Sequence, residues 1–290
     1  DWLEKNDIKI RGHCLVWPSW QRLPYDLVAL RGNRDALSKR INEHILEETK
    51  ALHGRIVEWD VINEPYTNHD LMDILGEKEM INWFNLAKEG APGTKLFIND
   101  YDILSSAGRD GTHQDRYEST IEFLLKNNAP LDGIGMQAHF ESDLTPPERI
   151  IAILDRYGKF GLPIQITEHD IDVEDEQLQA DYTRDFLTAV FSHPAVSDVI
   201  TWGFWESRHS KPRGAYFRKD WTHKPAAVAW NKLVNNEWWT CETIDTGSDG
   251  AVSTRGFLGD YEIVVSKNDR QVRKNLTLPL EGIASVIRFD

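Results

Sequence analysis

Two glutamates in this chain each lie in or at the end of a short segment of the same kind. Trp59-Asp60-Val61-Ile62-Asn63-Glu64 and Gln165-Ile166-Thr167-Glu168-His169-Asp170 both carry β-branched residues just ahead of the glutamate, at Val61-Ile62 and at Ile166-Thr167. Such residues favour strands, so each glutamate is expected where a buried strand runs out into solvent. Two carboxyl groups facing one pocket can cleave the acetal bond between two sugars. One, protonated, helps the leaving oxygen depart, and the other, ionised, acts as nucleophile or base. The two glutamates lie 104 residues apart, so only tertiary structure can bring them together.

The elements that must do so alternate along the chain. Strands are predicted over 8–17, 56–64, 95–101, 133–140, 163–171 and 199–205, with amphipathic helices over 35–53, 77–88, 111–127, 147–157 and 176–192. Alternation of this kind predicts a parallel sheet covered by helices. Every predicted strand ends in polar or aromatic groups: His13 and Trp17, Asn63 and Glu64, Asn99 and Tyr101, Gln137 and His139, Glu168 and Asp170, Trp202 and Trp205. A doubly wound sheet gathers such residues at one switch point, whereas a barrel places its chemistry around the whole C-terminal rim. The expected fold is therefore an α/β (TIM) barrel. Such a barrel needs eight strands, and six are legible; the expectation is that the first two precede residue 1. A closing helix is expected from Pro225. Beyond it, short strands are predicted over 238–244, 256–266, 272–278 and 283–289. The expected division is a barrel over 1–235 and a small all-β module over 236–290.

Composition narrows the partners. The net charge is −14, and no block of Lys and Arg forms a basic patch, which argues against nucleic acid and anionic membranes. No apolar run reaches the roughly 20 residues that cross a bilayer. There are two cysteines, Cys14 and Cys241, and no metal-ligand spacing of Cys or His appears, so no metal is expected. Eleven tryptophans are many for 290 residues, and flat indoles suit both core packing and stacking on sugar rings. Alternation puts Gln137 and His139 on one strand face and Glu168 and Asp170 on another, with His169 turned away toward the helices.

Six motifs stand in a familiar order: Arg11-Gly12-His13-Cys14-Leu15-Val16-Trp17, Trp59 to Glu64, Asn99-Asp100-Tyr101, Gly135-Met136-Gln137-Ala138-His139, Ile166-Thr167-Glu168-His169-Asp170 and Trp202-Gly203. Over residues 1 to about 235 the chain resembles glycoside hydrolase family 10, the retaining endo-β-1,4-xylanases on a (β/α)8 barrel. The resemblance implies Glu64 as general acid/base and Glu168 as nucleophile, their carboxyls roughly 5–5.5 Å apart. It implies Asn63 on the sugar 2-hydroxyl, His139 holding the nucleophile and Asp170 orienting His139. It further implies His13 and Gln137 as sugar ligands, Trp17 and Trp202 as pocket walls, and Tyr101 on the leaving-group side. Trp205 is either a further sugar contact or core. The chain departs from the family pattern at Pro18, Trp20, His169 and Ser210, where the family usually has His, Gln, Leu and a second pocket Trp. The implied protein is a secreted, extracellular, monomeric enzyme acting on xylan or xylo-oligosaccharides without a cofactor. A barrel that binds carbohydrate without turnover, or a retaining β-glycanase with another substrate, stays open beside it.

Overall fold

The computed structural model of the chain describes residues 1–289. The chain divides into two compact units, Asp1–Ala227 and Val228–Asp290. In the first unit the order is α1 (Trp2–Lys5), β1 (Arg11–Val16), α2 (Tyr25–Val28), α3 (Arg34–Ala51), β2 (Glu58–Asn63), α4 (Asp70–Leu75), α5 (Glu79–Gly90) and β3 (Lys95–Asp100). It continues with α6 (Gly111–Lys126), β4 (Gly133–Met136), β5 (His139–Phe140), α7 (Pro147–Gly158), β6 (Ile164–Ile171), α8 (Glu176–Ser192) and β7 (Val196–Thr201). The helix α9 (Pro225–Lys232) follows.

The helices form where caps and stripes agree. Asn33, Asp110 and Asp175 accept hydrogen bonds from the first-turn amides of α3, α6 and α8, satisfying donors that have no partner within the helix. Leu37, Ile41, Ile45 and Thr49 recur every fourth residue on α3, and all four are buried. Thr49 meets α5 at Gly90, where any Cβ would collide with the threonine side chain. This glycine sets how closely the two helices approach.

All the sheet pairings of this unit are parallel, and they follow chain order from β1 through β2, β3 and β4 to β6 and β7. β4 and β5 both pair with β6, at Ile134↔Ile164 and His139↔Asp170. They are two halves of the single strand expected over 133–140. The break lies at Ala138, whose φ of 63° is a left-handed conformation that interrupts the extended chain. Six strand positions are thus present among the described residues, and β1 and β7 have one neighbour each. The last strand ends at Thr201, leaving Trp202 and Trp205 in the loop beyond it.

The interior of the curled sheet is polar in layers. Arg11 lies lowest, over the Phe97 ring at 4.6 Å. Its guanidinium bonds Glu58 at 3.2 Å, and also Gln165 and Asp60. Gln165 in turn donates to Glu58 at 2.8 Å and Asp198 at 3.2 Å. Gly133 makes room for the Phe97 ring, which would occupy the place of a Cβ there.

In the second unit, β8 (Gly259–Lys267) and β9 (Arg270–Leu278) form one antiparallel hairpin with a two-residue turn at Asn268 and Asp269. Asn268 adopts φ 52°, which asparagine tolerates better than most residues. The strands expected over 238–244 and 283–289 are not formed. A strand requires a ladder partner, and β8 and β9 pair only with each other. The Thr240 side chain accepts the Phe257 amide instead.

Arg11→Met tests the polar interior. It leaves Asp60, 1% exposed, without its strongest cation, and breaking one side of a buried pair costs about 3–5 kcal/mol. Urea unfolding should show a loss of that order, and a loss under about 1 kcal/mol would refute this account of the interior.

Candidate active site

Alternation alone would not put both glutamates inside the barrel. On β2, Asp60 faces inward to His13, with Oδ2 3.0 Å from Nδ1. Asn63, three residues on, also faces inward, its Oδ1 accepting from Asn99 Nδ2 at 2.9 Å. Register shifts against both neighbouring strands fall between Asp60 and Ile62, and these reset the parity. β6 does the same. Thr167 and Glu168 are consecutive, yet both reach Asn99: Thr167 Oγ1 donates to Oδ1 at 2.7 Å, and Glu168 Oε1 accepts from Nδ2 at 2.9 Å. The register of β6 against β7 slips between Ile166 and His169. His169 then faces out, stacked on Phe186 of α8 at 4.5 Å.

Glu64 follows β2 with φ 54°, a sparsely populated conformation that clusters at functional sites. Its amide donates to the Asn99 carbonyl at 2.8 Å. Three side chains donate to its carboxylate: Gln137 at 2.8 Å, and Trp17 Nε1 and Asn68 at 3.1 Å each. Gln137 Nε2 also lies 3.5 Å from Asn63 Oδ1. A continuous path of amides therefore joins the two glutamates, from Glu64 through Gln137, Asn63 and Asn99 to Glu168. Gly135 sits beneath it, where a Cβ would fall 2.5 Å from Asn99 Oδ1. Asn63 Nδ2 is buried with no protein partner, a donor left for a ligand hydroxyl.

Glu168 is 5% exposed and held between imidazoles. His139 Nε2 is 3.3 Å from Oε2, and His13 Nε2 is 3.9 Å from Oε1. Behind His139, Asp170 Oδ1 lies 3.0 Å from Nδ1. Burial alone would lower the His139 pKa, but the flanking Asp170 and Glu168 carboxylates outweigh it and raise it to about 9. Burial opposes protonation of His13 too, and Asp60 outweighs it in the same way. Two other histidines of this region are neutral: burial takes His169 down to about 4 and also lowers His209. His209 Nδ1 accepts the Lys211 amide at 3.0 Å, which leaves its proton on Nε2, 3.8 Å from Asp170 Oδ2.

Aromatic rings wall the site. Trp202 sits edge-on to His13 at 5.8 Å and to His139 at 6.1 Å, and Trp17 is edge-on to His13 at 6.4 Å. Tyr101 donates to Thr67 at 3.1 Å. Beneath it, the buried His113 of α6 stacks on Tyr66 at 4.1 Å and meets the Tyr101 ring at 4.8 Å. His113 Nε2 is 3.1 Å from Asp100 Oδ1. Burial raises the Asp100 pKa to about 6 despite that histidine. The Trp205 ring instead stacks on Trp221 at 4.9 Å, and its Nε1 donates to the Lys219 carbonyl at 3.2 Å.

The structure thus brings together Glu64, Glu168, Asn63, His139, Asp170, His13, Gln137, Trp17 and Trp202, with Tyr101 beside them. Sequence reasoning gave no role to Arg11, Asp60, Asn99, Thr167, Asn68, Tyr66 or His113. Most of these stand inside the quoted motifs or directly after one, a usable signal; His113 carried none.

The fold and site together are a curled parallel α/β sheet with Glu64 and Glu168 at the C-terminal ends of β2 and β6. The family model described as glycosyl hydrolase family 10 matches residues 1–233, and the chain belongs to that family. Among curated proteins it is 32% identical over 275 residues to anti-sigma-I factor RsgI6 of Acetivibrio thermocellus, covering 92% of this chain and 34% of that protein. It is 28% identical over 286 residues to endo-1,4-beta-xylanase 1 of Arabidopsis thaliana, covering 98% and 30%. Among solved structures it superposes on xylanase 10B from Thermotoga petrophila RKU-1, in complex with xylobiose, with TM-score 0.73 and 25% identity over 81% of this chain and 76% of that one. The chain spans about a third of the length of the first two relatives.

The His139 charge predicts a pH dependence of stability. Its folded pKa of about 9 lies above the ordinary 6.5, so its contribution is complete below 6.5 and is lost as pH rises through 9. Unfolding free energy should fall by up to roughly 3 kcal/mol across that window. His139→Asn should flatten the slope, leaving the smaller part due to His13. An unchanged slope in that variant would show that His139 is not charged in the fold.

Proposed function

We propose that this protein is an endo-acting retaining glycosidase that hydrolyses internal β-1,4-xylosidic bonds of xylan by double displacement. The observation that carries this reading is the unlike treatment of two neighbouring carboxyls. Glu168 is buried between two imidazoles and an amide donor, the setting of a carboxylate kept ionised to attack. Glu64 is half-buried and is held by neutral donors only, Gln137, Trp17 and Asn68. In the first step Glu64 donates its proton to the leaving glycosidic oxygen while Glu168 Oε attacks the anomeric carbon. The C–O bond to the leaving sugar breaks and a glycosyl ester forms. In the second step Glu64 takes a proton from water, whose oxygen displaces Glu168 and restores the original anomeric configuration. Asn63 Nδ2 is the donor for the 2-hydroxyl of the cleaved sugar, a contact that strengthens as charge develops on the ring. Trp17 and Trp202 supply flat walls for neighbouring rings. Side chains perform every step, so no cofactor enters the scheme. A polymer of this size cannot enter a cell, so the proposed site of action is extracellular, and the protein acts as a monomer.

A second reading is favoured by the likeness to a protein named as an anti-sigma-I factor: a barrel that binds polysaccharide within a regulatory protein, with turnover slow or absent. One experiment separates the two. Reducing-sugar release from soluble xylan is measured for the chain, Glu168→Ala and Glu64→Ala. Release by the parent, lost in Glu168→Ala and reduced by about 10²–10⁴-fold in Glu64→Ala, supports the enzyme. The Glu64→Ala deficit should shrink on an aryl xylobioside, whose leaving group needs no proton. Azide should then rescue the two variants with opposite anomeric products. Binding of xylan with no release by any form supports the regulatory reading. Equal release from all three would overturn the mechanism.

A further inference from the structure

Beyond β7 the chain builds an aromatic surface that the reaction does not use. Trp205 and Trp221 stack with centroids 4.9 Å apart and planes within 10°. Trp221 is 54% exposed and Phe204, at 6.3 Å from it, 52%. The Trp205 indole is pinned from behind, its Nε1 donating to the Lys219 carbonyl at 3.2 Å.

Trp221 is presented by a short built turn. The Arg218 amide donates to the Thr222 carbonyl and the Trp221 amide to the Arg218 carbonyl, both at 2.9 Å. Asp220 accepts from the Thr222 amide and hydroxyl at 3.0 and 2.7 Å. Phe217 bridges Trp205 on one side and His223 on the other. Within this turn Trp221 adopts φ 68°. For a bulky aromatic residue this is a genuine outlier, held against local preference, and such outliers cluster where a side chain is placed for use. An indole exposed at a turn tip adds little to a core. Its flat face, thickened by a parallel partner, matches the apolar C–H face of a pyranose.

The surface begins just beyond the pocket wall in the chain. Trp202 touches both site histidines and is itself 40% exposed, and Phe204 and Trp205 stand two and three residues beyond it. We propose that Trp221, backed by Trp205 and flanked by Phe204, is a remote platform for a pyranose ring of the same β-1,4-linked polymer whose cleaved bond lies at Glu64 and Glu168. The inference rests on the carbohydrate reading of the catalytic site and adds a contact that only a long or insoluble chain can reach.

The test uses the full chain and Trp221→Gly. Glycine is at ease at φ 68°, so the variant removes the ring while keeping the turn, and an unchanged melting temperature verifies this. Two readouts are taken: kcat/KM on xylan and on an aryl xylobioside, and retention on insoluble xylan in a Glu168→Gln background. The platform predicts a loss of roughly tenfold in retention and a similar fall in kcat/KM on the polymer, with the aryl xylobioside rate unchanged. Trp221→Tyr should recover most of the loss. Equal rates and retention for parent and Trp221→Gly on the polymer overturn the platform and leave the catalytic reading standing. Equal falls on both substrates also overturn it, since the ring would then be supporting the catalytic pocket. A parent that binds xylan without cleaving it leaves retention as the deciding readout. A parent that neither binds nor cleaves xylan overturns both readings together.

Discussion

The site depends on holding one buried carboxyl, Glu168, among groups of the opposite charge. Glu168 is 5% exposed, and burying an isolated carboxylate is costly enough that it would ordinarily take up a proton. The protein answers with charge of the opposite sign in a column. Arg11 pairs with Asp60, Asp60 with His13, His13 with Glu168, Glu168 with His139 and His139 with Asp170, all within 3.9 Å. Each member is the counter-charge of its neighbours. This explains a barrel interior lined by Arg11, Glu58, Asp60 and Gln165 where branched aliphatics would fill space more simply. His169 and His209 go the other way, because burial outweighs the pull of Asp170 on each.

Bringing the column and the two glutamates onto one face requires breaking a rule. A strand turns alternate residues inward, and strict alternation from Asp60 would bury Ile62 and Glu64 together while sending Asn63 outward. From Gln165 it would bury His169 and expel Glu168. The register shifts in β2 and β6 each move one residue across, and the left-handed conformations of Glu64 and Ala138 finish the turn out of the sheet. Bulges near active sites re-aim side chains in this way. Here they do so on the two strands that carry the carboxyls.

These features mark what the sequence could and could not reveal. The order of elements, the six strand positions and the helix over Glu176–Ser192 were legible, because periodicity and capping residues are local signals. Glu64, Glu168, His139 and Asp170 were legible through their motifs. Alternation did place His169 outward correctly, but only by counting from Glu168. Counting from Gln165 gives the opposite answer, and no residue type announces the slip between them. The supporting charges were hidden for a related reason. Arg11 and Asp60 in a strand look like solvent-facing residues until a neighbour 49 positions away supplies the other half of the pair. His113 lay on a helix with nothing nearby in sequence to link it to Tyr66 and Tyr101. The module strands over 238–244 and 283–289 failed for the complementary reason: propensity was present, but a strand exists only with a partner.

The electrostatic column also limits how the site can hold its ligand. Its charges are spent on one another, and the net charge of −14 gives no attraction for an uncharged polymer. Recognition must come from neutral donors and flat rings. Among the neutral donors, Asn63 Nδ2 is buried and without a protein partner on the path between the glutamates. The rings are many, and they extend outward from the pocket walls at Trp17 and Trp202. A polar, charge-balanced floor with aromatic walls divides the work in two. In the proposed reaction the floor sets the charge around the carboxyls and needs burial, while the walls would hold successive sugar rings and need exposure. That division accounts for deeply buried carboxylates and half-exposed tryptophans within a few residues of each other in the same strand-end loops.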